Sequence, residues 1–263
     1  MKSRVVRVQR FKDPMFYTYG IIGADSPKSF GPIGIGGEGN EVFTINYRNI
    51  AAVVSPTSRE MFEPTEQNAL DHERVISHVM DACAIIPMSF GTVLRSENAI
   101  LRMLRVGYEE FVQILQQISG KIELGLKVSW RKEAFAKVLE EIDKTSERLR
   151  GLKARLRKGS VDSYGTMIAA GEIVEAAIAE RNEDYVSQIV EALKPYAVAS
   201  RINTIVGERM ILNASFLVEK DKEADFDARV NEVAARFGDI LEFQYTGPWP
   251  PYNFVDVKFR TAG

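Results

Sequence analysis

Apolar and polar positions alternate most cleanly where Ile122, Leu124, Leu126, Val128 and Trp130 share one parity while Lys121, Glu123, Lys127, Ser129 and Arg131 take the other. That pattern predicts a strand with one dry and one wet face. Upstream, Phe16 to Ile22 is rich in aromatic and β-branched residues and predicts a first strand. Glycines and prolines then dominate from Gly23 to Asn40, which predicts a long irregular loop. Val42 to Asn46 and Ile50 to Ser55 read as paired strands across a short turn at Tyr47 to Asn49. After Pro64, the spacing of Leu70, Val75, Val79 and Ala82 predicts a helix from Thr65 to Ala82. Ile85 to Leu94 is a further strand, placed at an edge or a bulge by Pro87. Ser96 then caps a helix running through Ile118, with Ile100, Leu101, Leu104, Phe111, Leu115 and Ile118 on its buried side.

Beyond the alternating strand, helical patterns cover Lys132 to Lys158 and Gly165 to Leu193. Phe135, Val138, Leu139 and Ile142 form one stripe; Val186, Ile189, Val190 and Leu193 form another, which Pro195 ends. Val198 to Val206 predicts a strand and Gly207 a turn. Met210, Leu212, Ala214, Phe216 and Val218 alternate again. Phe226, Val230, Val233, Ala234 and Phe237 make an amphipathic helix that Gly238 ends, and strands from Ile240 to Thr246 and from Val255 to Phe259 close the chain. The order of strand, helical region, two strands, helix and strand is that of a ferredoxin-like split βαβ unit with an enlarged first helical segment. We therefore expect an α+β protein of two domains: an N-terminal extension at 1–15, an N-terminal α+β domain at 16–119, and a C-terminal modified ferredoxin-like domain at 120–263.

A length of 263 residues suits two cores, and 45% hydrophobic with 27% charged residues is ordinary for globular chains. A net charge of −2 lacks the basic excess of a dedicated nucleic-acid binder, so no nucleic-acid partner is expected. Cys83 is the only cysteine, which leaves no internal disulfide or cysteine-rich zinc site and fits a reducing cytoplasm. The basic start meets Phe11, Lys12, Asp13 and Pro14 where a secretory signal needs apolar residues. Nowhere does an apolar run of about 18 residues occur, so no lipid membrane is expected as a partner.

Candidate chemistry is sparse. Gly34, Gly36 and Gly39 have the spacing of a dinucleotide-binding fingerprint, but a loop precedes them and the strand-like Val42 to Asn46 follows, where a helix is required. His72 and Glu73 open a metalloprotease-like pattern, yet His78 comes six residues after His72, and two helical ligands need a spacing of four. Surface or hydrogen-bonded histidines are the better reading. Ser89 lacks the glycine two residues before it that a nucleophile elbow requires, so it reads as a strand residue, and Cys83 among Ala82, Ala84 and Ile85 reads as an inert thiol. Arg148, Arg150, Lys153, Arg155, Arg157 and Lys158 lie beside Glu140, Glu141, Asp143 and Glu147, which describes a solvated helix face. Asn213, Ala214 and Ser215 match a glycosylation triplet inside a predicted strand, the wrong setting for it. No catalytic residue, metal ligand or cofactor site is indicated.

Several unusual segments remain. Tyr17-Thr18-Tyr19-Gly20-Ile21-Ile22, Ile86-Pro87-Met88-Ser89-Phe90-Gly91-Thr92-Val93, Asn213-Ala214-Ser215-Phe216-Leu217-Val218 and, most specific, Thr246-Gly247-Pro248-Trp249-Pro250-Pro251-Tyr252-Asn253-Phe254 resemble the pattern of the gas vesicle protein F/L family from about Phe16 onward. The resemblance implies a cytoplasmic, gas vesicle-associated accessory or minor structural protein, not an enzyme, without established catalytic residues or cofactors. Its partners would be the hydrophobic shell protein and other vesicle accessory proteins, in vesicle nucleation and assembly, where it would keep the shell protein from aggregating. Aromatics held between prolines lose little entropy on binding, so Trp249, Tyr252 and Phe254 are the candidate partner-binding residues, unless they simply plug the end of the domain core. A ferredoxin-like small-molecule-sensing regulatory protein is the alternative expectation, and it predicts a closed pocket.

Overall fold

The computed structural model describes residues 14–36, 39–157 and 163–255. Most of the N-terminal extension, Lys158, and the predicted closing strand beyond Val255 lie outside the described residues. The described chain forms two compact units, one made of residues up to Lys121 together with the segment from Trp249, the other of Ile122–Pro248.

In the first unit the elements are β1 (Met15–Gly23), β2 (Ser29–Gly34), β3 (Asn40–Tyr47), β4 (Ile50–Thr57), α1 (Glu66–Ala82), β5 (Ile85–Pro87), β6 (Val93–Leu94), α2 (Glu97–Val106) and α3 (Tyr108–Ile118). The strands make one antiparallel sheet in the order β2-β3-β4-β1-β5, with β6 also paired to β1. Both faces are covered. Tyr17, Tyr19, Val42, Ala51 and Val53 pack with Val75, Ile76 and Val79 of α1; Phe16, Ile21, Ile45, Ile50 and Val54 pack with Ile100, Leu104, Phe111 and Ile118 of α2 and α3. Burial on two faces explains why β1 and β4 read as continuous apolar runs. The register of β1 on β4 slips between Thr18 and Gly20, so residues of odd number face α1 before the bulge and Ile21 faces α2 and α3 after it.

Four expectations for this unit change. The long loop from Gly23 to Asn40 contains β2, an edge strand whose glycines and Pro32 accompany two register shifts against β3. Ile85 to Leu94 is two short strands, and Ser89 lies in the turn between them, its carbonyl accepting from Thr92 N at 3.3 Å. The helix from Ser96 is two helices, because Gly107 brings the turn so close to Phe111 that an added Cβ would sit 2.5 Å from its ring. Leu70 is 57% exposed, and α1 instead buries Asp71 and His72 beside Val75 and Val79.

The second unit contains β7 (Lys121–Trp130), α4 (Lys132–Thr145), α5 (Glu147–Arg157), α6 (Ser163–Leu193), β8 (Ala199–Ile202), β9 (Met210–Glu219), α7 (Glu223–Phe237) and β10 (Leu241–Trp249). Its sheet order is β10-β7-β9-β8. The dry parity of β7, from Ile122 to Trp130, packs with Leu212, Ala214, Phe216 and Val218 of β9 against Ile189 and Leu193 of α6 and Phe226, Val230 and Phe237 of α7. Trp130 Nε1 donates to Asn182 Oδ1 at 2.7 Å, and Arg229 Nε donates to the Ala192 carbonyl at 3.2 Å, tying α6 to β7 and α7. The predicted helix from Lys132 is broken at Ser146, whose extended backbone starts α5 and whose Oγ accepts from Leu149 N. Val198 to Val206 contracts to the four residues of β8, and β9 buries Ser215 and Leu217 on the parity expected to be wet. Among the described residues no helix is long and apolar enough to cross a membrane.

Candidate functional site

The strand β10 runs into the proline-rich segment through Gly247, at φ 129°. A side chain here would meet Leu124 Cδ2 at 2.9 Å and the Glu123 carbonyl at 3.0 Å, so glycine is required both for its angle and for close approach to β7. The Gly247-Pro248 bond is cis. Pro250 and Pro251 are buried, and a single helical turn at Tyr252–Phe254 follows, with Tyr252 N donating to the Pro250 carbonyl at 2.7 Å and Phe254 N to that of Pro251 at 3.0 Å. Tyr252 Oη donates to Glu73 Oε2 at 2.7 Å, and Val255 packs with the core beneath α2 and α3. The structure thus brings Tyr252 and Phe254 into one turn, just after Trp249. Trp249 is 39% and Tyr252 36% exposed, while Phe254 is half-buried. None of the three is a fully buried plug.

A buried polar network in the first unit had no sequence signature apart from the two tyrosines of β1. His72 Nε2 lies 3.2 Å from the Met88 carbonyl and so carries the proton; Nδ1 then accepts from Tyr17 Oη at 3.0 Å, and Tyr17 Oη accepts from Gly91 N at 2.9 Å. Tyr19 Oη accepts from Ile35 N and shares a 2.8 Å bond with Ser55 Oγ. Burial lowers the His72 pKa to about 4 and pushes the Tyr17 hydroxyl up to about 12; it also raises that of Tyr19. These groups stay neutral at ordinary pH and hold α1, the β5–β6 turn and the start of the β2–β3 loop onto β1.

The other candidates resolve by position. His78 is exposed and well apart from the buried ring of His72. Cys83 is half-buried, and burial raises its pKa, which disfavours the reactive thiolate. Gly34, Gly36 and Gly39 connect two strands, so the dinucleotide reading fails on context. On α5, Lys153 pairs with Asp143 and Arg150 with Glu147, as a solvated face would. Asn213 lies in β9 and donates to the Thr204 carbonyl at 2.8 Å. Among the described residues no cluster of His, Cys, Asp or Glu is arranged to hold a metal ion.

The chain is similar to gas vesicle protein F of Haloferax mediterranei, at 28% identity over 244 residues, which cover 92% of this chain and 93% of that one. Gas vesicle protein F of a Streptomyces species is 30% identical over 241 residues, covering 91% and 99%. Gas vesicle protein L1 of Halobacterium salinarum is 25% identical over 256 residues. Crystal structures of GvpF from Anabaena sp. and Microcystis aeruginosa share the fold, with TM-scores of 0.80 and 0.81 over 94% and 92% of this chain and 100% and 99% of theirs, at 22% and 21% identity. The model of the family described as gas vesicle synthesis protein GvpL/GvpF matches residues 15–256, from β1 through the proline-rich turn, and the chain belongs to that family.

Proposed function

We propose that this gas vesicle protein binds the hydrophobic shell protein and assists vesicle nucleation and assembly by covering apolar surface that would otherwise aggregate. It works in the cytoplasm, on the vesicle and with other accessory proteins, and it acts by binding without making or breaking a bond. The observation that carries this reading is the pair of aromatics, Trp249 and Tyr252, left at the surface on a backbone held by Pro248, Pro250 and Pro251. Completing the burial of a 39% exposed tryptophan removes on the order of 100 Å² of apolar surface, about 2 kcal/mol. The proline frame keeps the entropic cost of that burial small. The strand order β10-β7-β9-β8 supports reading the second unit as a modified ferredoxin-like domain.

Capture of the shell polypeptide by a Trp249→Ala, Tyr252→Ala variant tests the surface, with circular dichroism to establish that the variant is folded. The expected result is capture reduced at least tenfold, and undiminished capture removes this segment as the docking surface.

A further inference from the structure

In the second unit β8 is the last strand of its sheet and is bonded to β9, so among the described residues no strand pairs with its outer edge. Its register sets Ala199 on Leu217 and Arg201 on Ser215, and beyond its end Asn203 N donates to the Asn213 carbonyl at 2.7 Å. In an antiparallel ladder these alternate residues turn their backbone groups inward to β9. The N–H and C=O groups of Ser200 and Ile202 therefore point outward, and those of Thr204 continue the alternation. Val198 differs, because its N–H also bonds to the Leu217 carbonyl, at 2.8 Å.

Sheet edges are commonly blunted by lysine, proline or a covering loop. β8 has neither lysine nor proline, and Arg201 is its one charged residue. Apolar groups gather there instead. Val198, Ile202 and Val206 are more than half exposed and Ile205 nearly so, which leaves on the order of 400 Å² of apolar surface on this edge and the segment after it. Two copies would together remove about 800 Å² of it from water, and backbone and polar groups bring the total to about 1,000 Å², the size of a reversible interface.

The order of the residues suits the strand to its own copy. An antiparallel copy related by a two-fold axis can be centred on Ser200, Arg201 or Ile202. Centring on Arg201 sets like charges face to face, and centring on Ser200 sets Ile202 against Val198, whose N–H is already turned to β9. Centring on Ile202 avoids both faults. Ile202 then meets Ile202 of the second copy, Ser200 meets Thr204, Arg201 meets Asn203, and Ala199 meets Ile205. The Thr204 carbonyl already accepts from Asn213 Nδ2 at 2.8 Å and keeps a second lone pair for this bond.

We infer that the outer edge of β8 is an interface between two copies of this chain, paired antiparallel about Ile202 so that their four-stranded sheets join into one of eight. This goes beyond the shell-binding role and uses none of Trp249, Tyr252 and Phe254. Sedimentation velocity of the full chain from about 1 to 500 µM should show a reversible monomer–dimer equilibrium with a micromolar Kd. Ile202→Lys and Ile202→Glu alter a side chain already in solvent, so each should keep the fold by circular dichroism. Each should also weaken self-association at least tenfold, because the axis opposes like charges. An equimolar mixture of the two should associate at least tenfold more tightly than either alone, since opposite charges then meet. A chain that stays monomeric throughout, as another segment lying on β8 would leave it, a dimer indifferent to Ile202→Lys, or a mixture no tighter than its components would each overturn the inference.

Discussion

Acidification should loosen the first unit through one buried ring. His72 is 4% exposed, donates from Nε2 to the Met88 carbonyl, and accepts at Nδ1 from Tyr17. A proton added at Nδ1 would turn that acceptor into a donor. Tyr17 Oη would then face two donors, Gly91 N–H and the imidazolium, and its own hydrogen would lose its acceptor. In the unfolded chain the ring takes its proton near 6.5, whereas in the folded chain burial holds the pKa at about 4. Between those values the unfolded state binds more protons, so stability is full above about 6.5, falls as the pH drops, and loses nothing further from this group below about 4. The gap of about 2.5 pH units, at about 1.4 kcal/mol each, corresponds to about 3 kcal/mol. Urea unfolding of the wild type and of His72→Gln, measured every half unit from pH 7 to pH 4, isolates this contribution, because the difference between the curves cancels every other titrating side chain. The variant should begin about 1–3 kcal/mol less stable at pH 7 and close that deficit as the pH falls. Parallel curves, or a ring that titrates by NMR near its ordinary value in the folded protein, would refute the reasoning.

Three further substitutions test the packing. Thr18 is fully buried and its Oγ1 has no hydrogen-bond partner among the described residues, so Thr18→Val should raise stability by about 1 kcal/mol, read as a higher urea midpoint at unchanged slope. At Gly20 an added Cβ would lie 2.5 Å from Ile85 Cγ1 and 2.7 Å from the Ile86 carbonyl, so Gly20→Ala should cost about 1–3 kcal/mol in the same assay and increase amide exchange in β5. Trp130→Phe leaves the side-chain Oδ1 of Asn182 without its indole donor and should cost about 1–3 kcal/mol, with the loss largely absent in an Asn182→Leu background.

Much of the fold could be read wherever one face of an element meets water. β7, α7 and the C-terminal part of α6 carry their apolar stripes at the expected parity, and each stripe lies in the core. The failures share a cause, namely that local pattern does not record what a neighbour contributes. β2 earns its place by pairing with β3, although its composition is that of a loop. The break at Gly107 is invisible because Leu104 and Phe111 keep an apolar rhythm across it, and only the approach of the Phe111 ring shows why glycine stands there. His72 reads as polar on a helix, yet its partners Tyr17 and Met88 are distant in sequence, and these long-range bonds make its burial tolerable. The proline frame around Trp249 and Tyr252 is local and visible in the sequence, whereas the Tyr252–Glu73 bond is not, since it joins residues 179 positions apart.

Because the first unit takes residues from before and after the second while the second is one unbroken stretch, synthesis on the ribosome delivers their parts in an unequal order. The six strands of the first unit emerge early, but Tyr252 and Val255, which fasten onto α1 and the core beneath α2 and α3, are translated only after Pro248 has completed the second. The segment that bears the exposed aromatics is thus made after the second unit, so a nascent chain cannot present that surface on a finished first unit until the whole of the second has been translated.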